Sequence, residues 1–183
     1  MHGIVLKGLK DFVVETYDRE TWRTLMEEAG VGYSLYVPVE EYPDEEVFAL
    51  VETAVEMTGI DAPDLLETFG RFVVPALVET YGVHVADEWS AIDLVANVET
   101  YIHESLRRMP GSKYTPPELS ARRVDETTVL VRYESDRGLC DLAEGLLYGV
   151  ADHYGAEFVV EERRCMHEGA EDCELLVRDV GAA

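Results

Sequence analysis

Two hydroxyls and a guanidinium alternate in the stretch VRYESDR, where Tyr133, Ser135 and Arg137 occupy every second position. If this segment is a strand, the three side chains point to the same side of it. A guanidinium binds a carboxylate through two parallel hydrogen bonds, and the two hydroxyls would add further donors. The pattern therefore indicates a site for a ligand that carries carboxylates. A solvated strand face beside a turn is the alternative interpretation.

A histidine on the apolar face of a helix is the second candidate for chemistry. The apolar spacing predicts one long helix from Asp87 to Met109, and at 100° per residue His103 lies close to Ile92, Ala96 and Leu106. A neutral imidazole that faces an apolar cavity can be the single axial ligand of a haem iron, and the two haem propionates need donors at the edge of the pocket. Taken alone, His103 fits a hydrogen-bonded core histidine as well.

The elements that must position these residues change character along the chain. Helical spacing and capping residues predict four earlier helices, from residues 2 to 16, from Asp18 to Gly30, from Asp44 to Gly59, and from Asp61 towards Tyr81. After Pro117 the pattern predicts two antiparallel hairpins around one helix, namely strands at 119–124 and 127–134, a helix at 138–154, and strands at 156–164 and 173–178. We predict an α+β fold.

The composition excludes several classes of partner. The formal charge is −23, from 38 acidic and 15 basic residues, which argues against nucleic acid and anionic membranes as partners. No apolar run is long enough to span a membrane, and the N-terminus does not have the pattern of a signal peptide, so we expect a cytoplasmic protein. An acid-rich chain whose lysines are Lys7, Lys10 and Lys113 is typical of halophilic proteins, and a salt titration of folding tests this expectation.

Three cysteines form a further candidate site. Cys140, Cys165 and Cys173 together with His167 would complete a tetrahedral zinc site. Three reduced or redox-active thiols are the alternative, and both fit a reducing compartment better than a disulfide does.

The stretch from Ile102 to Leu119, IHESLRRMPGSKYTPPEL, followed by YESDR, resembles the H-NOX family of haem nitric oxide/oxygen binding domains, which are related to the haem domain of soluble guanylate cyclase. The resemblance covers nearly the whole chain and implies one haem domain over residues 1–183, with a helical lobe at about 1–60, a sheet lobe at about 61–183, and haem b between them. It implies that His103 is the axial ligand. Tyr133, Ser135 and Arg137 would bind the propionates, and Pro117 would pack on the haem and bend it.

The resemblance also bears on which gas binds. Oxygen-binding members have a tyrosine five residues beyond the arginine, where this chain has Leu142. The expected distal pocket also contains Val5, Leu9 and Val73, which are apolar and cannot donate a hydrogen bond to oxygen. We therefore expect binding of nitric oxide and carbon monoxide with little or no oxygen affinity, unless Tyr17, Tyr81, Tyr101 or Tyr148 reaches the pocket.

The same resemblance implies a mechanism and a kind of partner. Nitric oxide would weaken the bond between the iron and His103, the two lobes would shift, and the shift would signal in trans to a kinase, a cyclase or a chemotaxis-type protein. We expect no enzymatic activity, because no distal acid–base pair is evident. Some bacterial members carry cysteines at similar places that bind zinc or respond to oxidation, but there the histidine precedes the second cysteine, whereas His167 follows Cys165. A haem-free small-molecule, redox or zinc-binding regulatory domain is the alternative function.

Overall fold

The computed structural model describes residues 1–32, 35–108 and 115–181, and this part of the chain folds into helices and one four-stranded sheet. The helices are α1 (Gly3–Thr16), α2 (Arg19–Glu28), α3 (Asp44–Thr58), α4 (Ala62–Tyr81), α5 (Ala91–Val98), α6 (Glu104–Arg107) and α7 (Cys140–Tyr154). The strands are β1 (Glu118–Arg123), β2 (Thr128–Glu134), β3 (Phe158–Arg164) and β4 (Cys173–Asp179). The predicted α+β class is confirmed. None of the described helices combines the length and apolarity that crossing a membrane needs.

Helices α1 to α3 pack around a core of their own, in which Leu6 and Leu50 are almost fully buried. Two of the predicted helix ends are confirmed. The Asp18 carboxylate accepts a hydrogen bond from the Thr21 amide at 2.7 Å and caps α2, and Gly59 ends α3 with a φ of +71°.

The predicted capping role of Asp44 is wrong. Pro43 precedes α3, and Asp44 is the first helical residue. Its carboxylate lies 2.6 Å from the amine of Met1 and 2.9 Å from Nε of Arg137. Two cations from distant parts of the chain therefore engage a side chain that local sequence assigns to the helix end.

The sheet has the strand order β1-β2-β4-β3, and each neighbouring pair is antiparallel. Both predicted hairpins are present. Val129 of β2 pairs with Val177 of β4, and both side chains are completely buried. They belong to a core that also contains Ile92 of α5 and Leu147 of α7, so α5 and α7 cover one face of the sheet.

Helix α4 lies against α7 at a very small separation, and glycines make this approach possible. A Cβ atom on Gly145 would lie 2.1 Å from the carbonyl oxygen of Glu67. A Cβ atom on Gly70 would lie 2.5 Å from the carbonyl oxygen of Leu142. Any larger residue at these two positions would push the helices apart, so this contact fixes where the Leu142 side chain sits relative to α4.

The predicted single helix from Asp87 to Met109 is wrong in its start and its continuity. Ser90 and Asp93 form a reciprocal capping box, which starts α5 at Ala91. A π-helical turn at Glu99–His103 then separates α5 from α6, and the Glu104 amide donates to the Glu99 carbonyl across five residues. The predicted end at Met109 lies outside the described residues. The turn that interrupts the helix is also the one that ends in His103.

Candidate functional site

A cavity of about 260 Å³ lies between helices α1, α4, α5 and α7 and the covered face of the sheet. Its walls are mostly aliphatic side chains, such as Val95, Ile102 and Leu146. The described residues that line it with a polar side-chain group are His2, Tyr81, His103, Tyr133, Ser135 and Arg137. Four of these six are the predicted axial ligand and the predicted propionate clamp. Separate elements of the fold therefore bring the two sequence motifs to one cavity.

The His103 side chain is well shielded, with 16% of its surface exposed, and one of its nitrogens is already engaged. Its Nδ1 lies 3.1 Å from Oε2 of Glu99. An ionised carboxylate can only accept a hydrogen bond, so Nδ1 carries the proton and Nε2 carries the lone pair. Burial lowers the pKa of His103, and this effect exceeds the opposing effect of the Glu99 charge. The imidazole is therefore held neutral with Nε2 available to a metal.

Glu99 and Arg107 complete this arrangement, although neither was among the predicted site residues. Oε1 of Glu99 accepts a hydrogen bond from Nη1 of Arg107 at 2.6 Å, and Nη2 of Arg107 makes a longer contact of 3.4 Å with the carbonyl oxygen of Pro117. The signal in the sequence was the spacing of four between Glu99, His103 and Arg107, which places all three on one helical face.

The predicted strand carries only the first residue of the Tyr-Ser-Arg triad. Strand β2 ends at Glu134, and Ser135 and Arg137 lie in the turn that follows, where the Gly138 amide donates to the Ser135 carbonyl at 3.0 Å. The simple alternation argument is thus wrong for two of the three residues, because the chain leaves the sheet before reaching them. All three side chains nevertheless line the cavity.

The donors of the triad are held in usable states. Burial raises the pKa of Tyr133, which keeps its hydroxyl protonated. The guanidinium of Arg137 directs Nε at Asp44 and Nη1 at the carbonyl oxygen of Thr115, each at 2.9 Å. A guanidinium has five N–H donors, so these two contacts leave others for a carboxylate ligand.

The predicted distal residues are divided between two cavities. Val5 and Leu142 line the large cavity and also a smaller adjoining one of about 50 Å³. Leu9 lines the smaller cavity, and Val73 is buried against α1, where its Cγ2 would lie 2.5 Å from a Cβ atom on Gly8. On the α4 side, the residues that line the large cavity are Val74, Leu77, Val78 and Tyr81. Val74, rather than the expected Val73, is therefore the neighbouring valine that lines the large cavity.

Pro117 lines the large cavity and is half-buried, directly after the buried Pro116. Two consecutive prolines restrict the backbone of this connector and place the Pro117 ring at the cavity wall. The preceding residues 109–114 of the connector lie outside the described part of the chain.

The three cysteines form a separate buried cluster. The Sγ atoms of Cys140 and Cys165 are 3.5 Å apart, those of Cys165 and Cys173 are 3.4 Å apart, and all three thiols are free. His167 directs Nε2 at the Gly138 carbonyl at 2.9 Å and lies near Cys140 rather than near all three thiols. Burial raises the pKa of Cys165 to about 11 and that of Cys140 still further, so both are thiols at neutral pH in this state.

The large cavity has the features that a haem requires. It offers aliphatic walls, a neutral imidazole whose Nε2 has no partner in the described part of the chain, and a group of hydroxyl and guanidinium donors for propionates. Fold and site together describe a domain of the single-histidine haem-binding class.

The comparisons with known proteins identify the family within this class. A family model described as HNOB, haem-NO-binding, matches residues 2–162. The chain therefore belongs to the haem-NO-binding, or H-NOX, family, whose members bind haem and sense gases. A comparison with curated protein sequences found no match.

Solved structures of H-NOX proteins have the same fold. A crystal structure of an H-NOX protein from S. oneidensis in the Fe(II)NO state is 27% identical, with a TM-score of 0.90 over 98% of this chain and 99% of that one. An NMR structure of the S. oneidensis domain in the Fe(II)CO state is 27% identical, with a TM-score of 0.86 over 98% of each chain. A mutant of T. tengcongensis H-NOX has a TM-score of 0.84 over 98% of each chain at 20% identity, a level that supports the fold alone.

Proposed function

We propose that this chain is a haem-based nitric oxide sensor in which His103 is the axial ligand. The observation that carries the proposal is that His103, whose Nε2 has no hydrogen-bond partner among the described residues, lines the same aliphatic cavity as Tyr133, Ser135 and Arg137. When bound, haem b would supply a ferrous iron that can bind nitric oxide or carbon monoxide. Relatives with these two gases as ligands provide further support.

The chain's residues have distinct roles in this proposal. His103 holds the iron from the helical segment α5–α6. Tyr133, Ser135 and Arg137 donate hydrogen bonds to the propionates, which fixes the orientation of the ring in the cavity. Pro117, which lines the cavity, would pack against the bound ring.

Discrimination against oxygen would follow from the side chains opposite His103. Val5 and Leu142 present only aliphatic carbon to the cavity, and bound oxygen needs a hydrogen-bond donor that they do not have. Tyr81 is the hydroxyl that could alter this outcome, because it also lines the cavity and burial raises its pKa. A stable oxygen complex in air that is lost in Tyr81→Phe would contradict the proposed selectivity and identify Tyr81 as the donor.

The signal would arise when His103 is released. Nitric oxide would weaken the bond between His103 and the iron, so the helices that carry His103 would no longer be tied to the cofactor. The contact between Pro117 and the cofactor could then change, and the helical lobe could move relative to the sheet lobe, which would bias a two-state element. The recipient of this movement would be a signalling protein in trans, of the kinase, cyclase or chemotaxis type, and not nucleic acid, given the charge of −23.

An absorption spectrum of the reduced protein, before and after nitric oxide is added, tests the proposal. We expect a Soret band that shifts on addition. His103→Gly should lose this spectrum and regain it with added imidazole, whereas His153→Gly, the same change at an exposed position of α7, should behave as the unchanged protein. A colourless protein after incubation with hemin would instead support the haem-free alternative. An unaltered spectrum in His103→Gly would exclude His103 as the ligand.

A zinc or redox role for the cysteines is a second candidate, and it is compatible with the first. Three Sγ atoms within 4.8 Å of one another form the thiol part of a tetrahedral site, and a bound cation would deprotonate them. Metal analysis of protein purified without chelator distinguishes the possibilities. One equivalent of zinc that is lost in Cys173→Ser supports a metal site, and no metal together with reversible oxidation supports redox-active thiols. Free thiols also suit the cytoplasm, which is the compartment that we propose.

A further inference from the structure

One carboxylate lies between a histidine and an arginine at the edge of the large cavity. The two oxygens of Glu99 are used separately, Oε2 at 3.1 Å from Nδ1 of His103 and Oε1 at 2.6 Å from Nη1 of Arg107. Only 20% of the Glu99 side chain is exposed, so its charge is poorly screened by water. The charge of Glu99 is therefore shared between an imidazole and a guanidinium.

We propose that Glu99 is a positioning residue that sets the strength of the bond between His103 and the iron, and that Arg107 moderates its effect. The proposal rests on the proposed function, because it requires His103 to be the axial ligand. It identifies two residues, outside the histidine and the Tyr-Ser-Arg triad, that adjust how readily the sensor responds.

The chemistry follows from the direction of the hydrogen bond. When Nδ1–H donates to a carboxylate, the imidazole gains negative character and Nε2 becomes a stronger electron donor to a metal. Arg107 donates a charge-assisted hydrogen bond to the same carboxylate and so reduces the negative charge that acts on the imidazole. Loss of the Glu99 charge and loss of the Arg107 charge should therefore change the iron–histidine bond in opposite directions.

The backbone around Glu99 fixes this geometry. The π-helical turn begins at Glu99 and ends at His103, and the hydrogen bond from the Glu104 amide to the Glu99 carbonyl holds its two ends together. Insertions of this kind are frequent at functional sites, because they re-aim side chains within a helix. The 3.4 Å contact from Arg107 to the Pro117 carbonyl links the same network to the connector that lines the cavity.

The strength of the bond between His103 and the iron would affect how the protein responds to nitric oxide. A stronger bond to His103 resists the weakening that nitric oxide causes on the opposite side. Glu99 would therefore delay the release of His103, and Arg107 would limit that delay. Removal of the hydrogen-bond partner of a metal-binding histidine typically changes metal affinity or activity about 10- to 100-fold, and this range sets the scale for the rate of His103 release.

The test is the iron–histidine stretching vibration of the ferrous haem protein, measured by resonance Raman spectroscopy. We expect a lower frequency in Glu99→Gln, which keeps an acceptor oxygen without the charge, and a higher frequency in Arg107→Leu. Glu104 and Arg108 serve as the control, since they form another Glu–Arg ion pair, 2.7 Å apart, on the same segment. Glu104→Gln and Arg108→Leu should leave the frequency unchanged.

A second measurement follows the release of His103 after rapid mixing with nitric oxide. Release should be on the order of tenfold faster in Glu99→Gln than in the unchanged protein, and slower in Arg107→Leu. A purely structural ion pair would lower stability in both variants but would not give opposite shifts of frequency and rate.

The outcomes are distinct. Equal frequencies in the unchanged protein, Glu99→Gln and Arg107→Leu would overturn the inference and leave the proposed function intact. Absence of the vibration from the unchanged protein would overturn both. If Glu99→Gln does not retain haem, Arg107→Leu still tests the role of Glu99, because this variant keeps the carboxylate. Its iron–histidine stretching frequency must then be higher than that of the unchanged protein.

Discussion

Oδ1 of Asp44 lies 2.9 Å from Nε of Arg137, so the first residue of α3 is ion-paired with the last residue of the Tyr-Ser-Arg triad. Both side chains are largely shielded, with 34% and 19% of their surfaces exposed. Burial acts to raise the pKa of Asp44, but hydrogen bonds from Arg137 and from the Met1 amine outweigh it and hold the pKa below its ordinary value. The pair therefore stays charged and joins the helical lobe to the cavity.

Replacement of Asp44 by Asn should weaken the interaction with Arg137 and lower the stability of the protein. Arg137 would keep a partly buried charge without its carboxylate partner, so we expect a loss of about 1 kcal/mol in the free energy of unfolding, a partly exposed pair being worth less than a buried one. Urea denaturation of both proteins measures the difference. Glu45→Gln removes an exposed charge from the same first turn of α3 and serves as the control, with a change close to zero. Equal losses in the two variants would mean that the helix dipole, and not the ion pair, is responsible.

Introduction of a hydroxyl at Leu142 should give the protein affinity for oxygen. Leu142 lines the large cavity beside α4, and a tyrosine there would offer the donor that bound oxygen requires. Leu142→Phe adds a ring of similar size without the hydroxyl and is the matched control. We expect a persistent oxygen spectrum in air for Leu142→Tyr alone. Oxygen binding in both variants, or in neither, would show that polarity at this position does not control selectivity.

Enlargement of Gly145 should destabilise the contact between α4 and α7. A Cβ atom there would lie 2.1 Å from the Glu67 carbonyl oxygen, an atom of the rigid helix backbone. We expect Gly145→Ala to lower the free energy of unfolding by about 1–3 kcal/mol, as overpacking does elsewhere. Gly82→Ala is the control, because no atom of the described residues lies within 4 Å of its Cβ position and its φ of −57° suits any residue. A neutral effect of Gly145→Ala would mean that the two helices can separate without cost.

The features that the sequence predicted correctly depend on local interactions. Asp18 caps α2 with a donor three residues away, and Gly59 supplies the left-handed conformation that ends α3. Strand β2 was predictable because buried and exposed side chains alternate from Val131 to Glu134, and β4 was predictable from its short apolar run, Leu175 to Val177, all of which is buried.

The errors concern residues whose partners are distant in sequence. Asp44 looks like a helix cap until Arg137, 93 positions later, is placed beside it. Likewise, the spacing of Ser135 and Arg137 is that of a strand, but the sheet ends at Glu134 and a turn takes over. The start of α5 could have been predicted from the capping-box spacing of Ser90 and Asp93. The apolar stripe continues past this point, however, and led to a predicted start that was too early. The π-helical turn that brings Glu99 to His103 has no comparable signal in the spacing of apolar residues.

The capping box at the start of α5 should make part of the stability dependent on pH. The Ser90 hydroxyl donates to the Asp93 carboxylate at 2.6 Å and is the largest cause of the lowered pKa of Asp93, with Arg123 adding to it. A carboxyl whose pKa is lower in the folded state stabilises the protein above its unfolded pKa of about 3.9, and that contribution disappears as the pH falls through the folded pKa.

In Asp93→Asn the amide cannot ionise, so the contribution should be absent at every pH. We expect a loss of about 0.5 kcal/mol at pH 7, a small value because the Asp93 side chain is 36% exposed. The difference from the unchanged protein should shrink below about pH 4, where the unchanged protein loses the same interaction. Thermal unfolding followed across this range measures it, with Asp87→Asn in the preceding exposed turn as the control. A difference that is constant with pH would show that the hydrogen-bond geometry of Asp93, rather than its charge, anchors the start of the helix that leads to His103.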